Sequence, residues 1–346
     1  MLARPLDYYV AKMRDLHDRI QTDLLRHLRE QEDSAAETNL AGVADVRGGD
    51  TIYTIDAHSE ETLFAFCEAW ASEGAFVLIA EGIEDAGWRV FPAGATEADA
   101  QFLMIVDPID GTRNIMYNKR SAWILSGIAP NRGHDTNLSD IVAAVMTELP
   151  TTRHLLADQL WATTGGGAHR EAKNVFTGER KKMSLHPSQS PTLAHGFACV
   201  VKFFPPAKAE TARFETALFD AVLDSSGENP LVFDDEYISS GGQLYELLVG
   251  HDRFIADLRP VFYGAYGLPK KLVCHPYDIC TELIAREAGV FVSDETGARL
   301  SAPLDIRADV SWTGYANAAL KESIAPQLSR LLKELPPSAV EGEKPL

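Results

Sequence analysis

The chain has 346 residues, of which 45% are hydrophobic and 24% charged, the balance of a globular protein with a sizeable core. Its net charge of −18 argues against a binder of nucleic-acid backbone, which presents a basic face. No apolar run reaches the length of a membrane span, and the four cysteines (Cys67, Cys199, Cys274, Cys280) form no CxxC pair, which argues for free, mostly buried thiols and against a zinc knuckle or disulfide frame.

The opening "MLARPLDYYVAKMRDLHDR" alternates charged and apolar residues without a signal-peptide core, so the expectation is a cytoplasmic protein. Apolar residues at Tyr9, Met13, Leu16, Ile20 and Leu24 predict one long amphipathic helix over 5–31. A polar loop is expected over 32–50, a short strand at "TIYTID" (51–56), and a Ser-Glu-capped helix over 58–74. Strands follow at 75–82, 101–107 and 121–130, then a hairpin of 140–149 with 154–163 around "PTTR". Gly165–Gly167 reads as a loop. A domain boundary is placed at Lys181-Lys182 and "HPSQSP" (186–191), giving an N-terminal α+β domain (1–185) and a C-terminal α/β domain (186–334). In the second half, helices are expected at 213–226, 241–250 and 278–289, a strand at 252–258 and a hairpin at 290–300. The tail 335–346 reads as disordered.

The chemistry concentrates in "MIVDPIDGTRN" (104–114). Pro108 ends ladder pairing as Asp107 leaves the sheet, and the turn folds Asp110 back beside it. Two carboxylates held this close raise one pKa sharply unless a cation neutralises them, and Mg²⁺ prefers such hard oxygen ligands. The Ile109 carbonyl is a further ligand candidate, and the amides of Gly111 and Thr112 suit an anion. Other acids stand at element ends: Asp56, Glu60, Glu81 and Asp278. Each also has an ordinary structural reading, with Asp278 as an N-cap, Glu60 in a capping box and Glu81 as a solvated strand end. His58 and His275 flank this set, with core or surface roles favoured for both.

The order of these motifs resembles the inositol monophosphatase family, within the sugar phosphatase group that includes fructose-1,6-bisphosphatase. The resemblance rests on "VDPIDGTRN", on "FVLIAEG", on "TIYTIDAHSEE" and on "HPYDICTELIAREAG", and runs from about residue 8 to 333. It implies a fold of alternating helical layers and two β-sheets, an αβαβα sandwich. It also implies two or three Mg²⁺ ions. Glu81, Asp107 and the Ile109 carbonyl would hold the first, Asp107, Asp110 and Asp278 the second, and Glu81 would share a loose third. By the same resemblance, Gly111 and Thr112 receive the substrate phosphate, Asp56 and Thr112 act with Glu81 to activate water, and Asp257 contacts substrate hydroxyls. A homodimer is implied as well.

The family carries a second glutamate directly after the Glu81 position, whereas this chain has Gly82, with Glu84 nearby. Tyr277 replaces a tryptophan, and residues 185–230 and 259–274 are longer or more divergent, on the sugar side of the pocket. The expected activity is Mg²⁺-dependent hydrolysis of a small phosphate monoester, inositol monophosphate or a related sugar or polyol phosphate, with no nucleic-acid or membrane partner. Alternatives within the family are a 3′-phosphoadenosine nucleotide or fructose-1,6-bisphosphate, for which Arg213, Lys270 or Lys271 would meet a second phosphate. A catalytically silent metal- or phosphometabolite-binding protein is the alternative from another class.

Overall fold

The computed structural model describes residues 2–33, 43–47, 50–83, 87–223 and 231–337, with backbone alone for 31–33, 43–47 and 50–58. The expected first helix forms as α1 (Leu6–Asp33), and its periodic residues Tyr9, Met13, Leu16, Ile20 and Leu24 are all buried. Where a loop was expected, β1 (Val43–Arg47) pairs with β2 (Asp50–Tyr53). That ladder ends at Val43 opposite Tyr53, and the chain coils at once into α2 (Thr54–Trp70). Asp56 therefore sits in the first turn of a helix and not at a strand end, a correction to the expected 51–56 strand and to the cap at Ser59.

Next come β3 (Phe76–Ala80), β4 (Trp88–Phe91), β5 (Phe102–Asp110), α3 (Thr112–Met116), β6 (Ala122–Pro130), β7 (Ala143–Leu149), β8 (Leu156–Thr163), β9 (Gly167–Asn174) and β10 (Arg180–Met183). Their strands form one eight-stranded sheet in the order β10-β9-β8-β7-β6-β5-β3-β4, antiparallel except for the parallel β3–β5 pair. The β7–β8 hairpin matches expectation. The strands β9 ("GAHREAKN") and β10 ("RKKM") escaped it, because their charged, half-exposed residues carry no apolar alternation.

The remaining elements are β11 (Gly196–Val200), α4 (Lys208–Val222), β12 (Val232–Phe233), α5 (Ser240–Val249), β13 (Asp252–Asp257), α6 (Arg259–Ala265), α7 (Glu282–Glu287), β14 (Phe291–Ser293), β15 (Trp312–Tyr315) and α8 (Ala318–Leu332). They build a five-stranded mixed sheet ordered β12-β11-β13-β15-β14. The expected 290–300 hairpin is overturned: β14 turns at Asp294–Gly297 but pairs with the distant β15, which offers a buried apolar partner. The helix expected from 278 is helical only from Glu282, after a run of turns. The tail beyond 337 and Glu84 lie outside the described residues.

Five layers result. Helices α1 and α2 cover one face of the large sheet, α5 and α7 fill the space between the sheets, and α4 and α8 cover the outer face of the small one. One buried apolar cluster runs from Val77 on β3 to Leu331 on α8 through that middle layer, and a second lies under α1 and α2. All four cysteines are buried and free. Among the described residues no helix is long and apolar enough to cross a membrane.

The α1 face carries a polar seam as well as apolar packing. His17 is fully enclosed, its Nδ1 2.9 Å from the Thr147 hydroxyl and its Nε2 2.8 Å from that of Ser126. Burial drives its pKa from 6.5 down to about 3, so the folded chain keeps this ring neutral where the unfolded chain protonates it. The stability contribution is whole above pH 6.5 and shrinks by up to about 1.4 kcal/mol per pH unit below it. Buried carboxyls with raised pKa values, Asp110, Glu148 and Asp252 among them, act in the opposite sense over the same range, so the test is a difference. The gap in stability between the unaltered chain and His17→Gln, from urea melts, should narrow as pH falls from 6.5 to about 5 with up to this one-proton slope.

Candidate metal centre

Strand alternation decides which acids share a face. On β5, Leu103 and Ile105 pack between the sheets, whereas Met104 and Val106 pack under α1 and α2. Asp107 continues the inner set. In a regular strand Asp110, three residues on, would face the opposite way. The ladder to β6 prevents that: Asp107 pairs with Leu125 and Asp110 with Trp123, three steps on β5 against two on β6. This bulge contains Pro108, at a place where no ladder partner is required. The strand does not stop at Asp107, as expected, but runs on to Asp110, and the extra residue returns both carboxylates to the inner face.

Two other segments converge there. The parallel neighbour β3, with Ala80 opposite Val106, brings Glu81 to the level of Asp107. From the far half of the chain, the turn 275–278 delivers Asp278, whose Oδ2 accepts the His275 amide at 2.6 Å. The His275 ring is pinned in turn, with Nδ1 3.0 Å from the Ala308 carbonyl. Oxygens of Asp107, Asp110 and Asp278 lie within 4.8 Å of one another. Asp107 and Asp110 are only 2% and 6% exposed.

The electrostatics follow from this crowding. Burial first, then the charges of Asp110, Glu81 and Asp278, hold the Asp107 carboxyl well above its usual range. Burial, Asp110 and Glu81 do the same to Asp278, opposed by the His275 amide and the nearby Arg259 charge. Asp110 is pushed up to about 6 by burial, against donors that favour its ionised form. Those donors come from the start of α5: the Ser239 hydroxyl at 2.7 Å and the Gly241 amide at 2.6 Å, both on Oδ2. Ser239 also caps α5, accepting from the Gly242 amide at 2.8 Å.

Around these acids the turn is tightly built. The Ile109 amide donates to Asp107 Oδ1 at 3.0 Å, and the Thr112 hydroxyl donates to the Ile109 carbonyl at 3.0 Å. Gly111 adopts φ +91°, and an added Cβ would meet the Ile238 carbonyl oxygen and Ser239 Cβ, each at 3.0 Å.

Asp257, expected as a substrate contact, is paired within the chain. Its carboxylate is fully buried and held by Arg259, with Nε at 2.8 Å from Oδ1 and Nη2 at 2.5 Å from Oδ2. Arg259 also donates to the Leu272 carbonyl and lies 4.7 Å from the Phe203 ring centre. Arg259, two residues on, thus pairs with this buried carboxylate at short range, and its charge also reaches Asp110 and Asp278. Asp56 stands on α2, its side chain outside the described residues. Ser239, Gly241 and Arg259 were missed in the sequence, although "SSGG" before an apolar helix is a capping signal.

Hard oxygen donors from three segments, buried and mutually repelling, fit a divalent cation: Asp107, Asp110, Asp278 and Glu81 would hold it, with the Ile109 carbonyl beside them.

No family model and no curated protein matches the sequence. Solved structures do share its architecture. Fructose-1,6-bisphosphatase from Leishmania major aligns with a TM-score of 0.61 at 14% identity, over 96% of this chain and 99% of that one. The extragenic suppressor protein SuhB from Bartonella henselae gives 0.60 at 18% identity, over 94% and 99%. An IMPase from Thermotoga maritima gives 0.57 at 16% identity, over 91% and 96%. The likeness is one of fold: the chain has the layered sandwich of these structures.

Gly111→Ala is expected to lower stability by about 1–3 kcal/mol, through the left-handed backbone and the collision with Ile238 and Ser239. Denaturant melts of the two proteins measure it.

Proposed function

We propose that the chain is a Mg²⁺-dependent phosphatase that hydrolyses a small phosphate monoester, inositol monophosphate or a related sugar or polyol phosphate. The observation that carries this reading is the meeting of Asp107, Asp110 and Asp278 within 4.8 Å, directly before the glycine turn at 111–112. The solved neighbours titled fructose-1,6-bisphosphatase and IMPase support the same reaction class. When bound, divalent ions neutralise phosphoryl charge and lower the pKa of water.

The chain's own residues do the placing. Gly111 and Thr112 present their amides to the phosphate, and Asp56 with Thr112 and Glu81 orients the attacking water. Positioning and charge neutralisation dominate phosphoryl transfer, so no cysteine or histidine nucleophile is required. A monoester is favoured over a bisphosphate because two of the cations available for a second phosphate already have acidic partners. Lys270 lies 3.0 Å from Asp309 and Arg213 lies 3.7 Å from Glu210. A homodimer in the cytoplasm completes the proposal.

Phosphate release from a panel of sugar, polyol and nucleotide phosphates, with and without Mg²⁺, tests the reading. Release should require the ion, and Asp110→Asn should reduce it by about 10²-fold, since an isosteric amide keeps the Gly241 bond but loses the charge. Metal binding without release from any member would point to the silent binding protein. Release undiminished in the variant would move the chemistry elsewhere.

A further inference from the structure

The residue after Glu81 is a glycine where the resemblance leads one to expect an acid, and the space it leaves is filled from another element. Gly82 adopts φ +87°, and a Cβ placed there would lie 2.6 Å from Cδ of Glu60 and 3.3 Å from its Oε2, with Oε1 closer still. The Glu60 carboxylate is thus laid directly on the Gly82 backbone. Glu60 belongs to α2, one helical turn after Asp56, and is partly buried. Glu81, next to the contact, acts through its charge on both Asp107 and Asp278.

We propose that Glu60 supplies, from α2, the second acidic group beside Glu81, in the space that a side chain at position 82 would occupy. The inference rests on the metal-centre reading above and deepens it. Gly82 is then a fitted partner of Glu60 and not a lost ligand: its missing side chain admits the carboxylate, and its left-handed backbone suits glycine. Glu60 acts as a positioning residue. It adds negative charge next to Glu81 and fixes the turn that carries Glu81 to the level of Asp107. One consequence runs against a simple repair of the motif. An acid restored at position 82 would collide with Glu60 and force a strained backbone, so it would damage the centre.

Mn²⁺ titration of the full chain, followed by electron paramagnetic resonance, tests this without relying on turnover. Glu60→Gln keeps the shape of the side chain and removes its charge. It should weaken the Mn²⁺ ion by about tenfold or more, with an unchanged circular dichroism spectrum. Gly82→Glu should weaken binding as well. Unchanged affinity in Glu60→Gln, or tighter binding in Gly82→Glu, overturns the inference and leaves the metal centre standing. Absence of Mn²⁺ binding by the unaltered chain overturns both.

Discussion

Like charges in a dry place are the constraint around which this molecule is arranged. Three carboxylates share a space under 5 Å across in the middle layer, two of them almost wholly removed from water. Their mutual repulsion is strong because little solvent screens it. Nothing in the apolar packing alone would bring them together, so each is held by specific backbone contacts. The start of α5 grips Asp110, the Ile109 amide grips Asp107, and the His275 amide grips Asp278. The arrangement stores an attraction for cations and keeps it ready in a rigid frame.

That frame depends on which elements fill the middle layer. Helix α5 packs against β6 on one side and β13 on the other, so its N-terminus reaches Asp110 while its body joins the two sheets. The segment that carries Asp278 leads into α7, which packs on β7, β8 and β9 of the large sheet and β14 of the small one. Acids from both halves of the chain can therefore meet only when both sheets have formed. The Asp257–Arg259 pair stands at the end of β13 and ties it to the Leu272 carbonyl, six residues before Asp278.

Much of the site was legible because its acids stand in short motifs with clear local chemistry. "DPIDGT" announced paired carboxylates, a turn and a glycine, and the structure keeps all three. What the motif could not convey was the bulge, since a proline after an aspartate reads equally as the end of a strand. Asp257 shows a different limit: an acid at a strand end does not announce the buried partner, here Arg259, that holds it. Burial and partner decide, and both are tertiary. Strands β9 and β10 were invisible for a related reason, because their pairing is set by β8 and not by any apolar pattern of their own. Helix α2 began early because a ladder ran out, which no window of sequence records.

The bulge at Pro108 makes the centre a matter of counting. Alternation along a strand has only two answers, inward or outward, and the pairing of three steps on β5 against two on β6 selects inward for both Asp107 and Asp110. Side chains within the segment can be exchanged for others of similar volume without changing that answer. Without the bulge, the same three steps paired one for one with β6 would turn Asp110 toward the helices α1 and α2, a buried charge in the wrong layer. What the segment must conserve is therefore its register against β6 and not its composition, the reverse of what an ordinary surface turn requires.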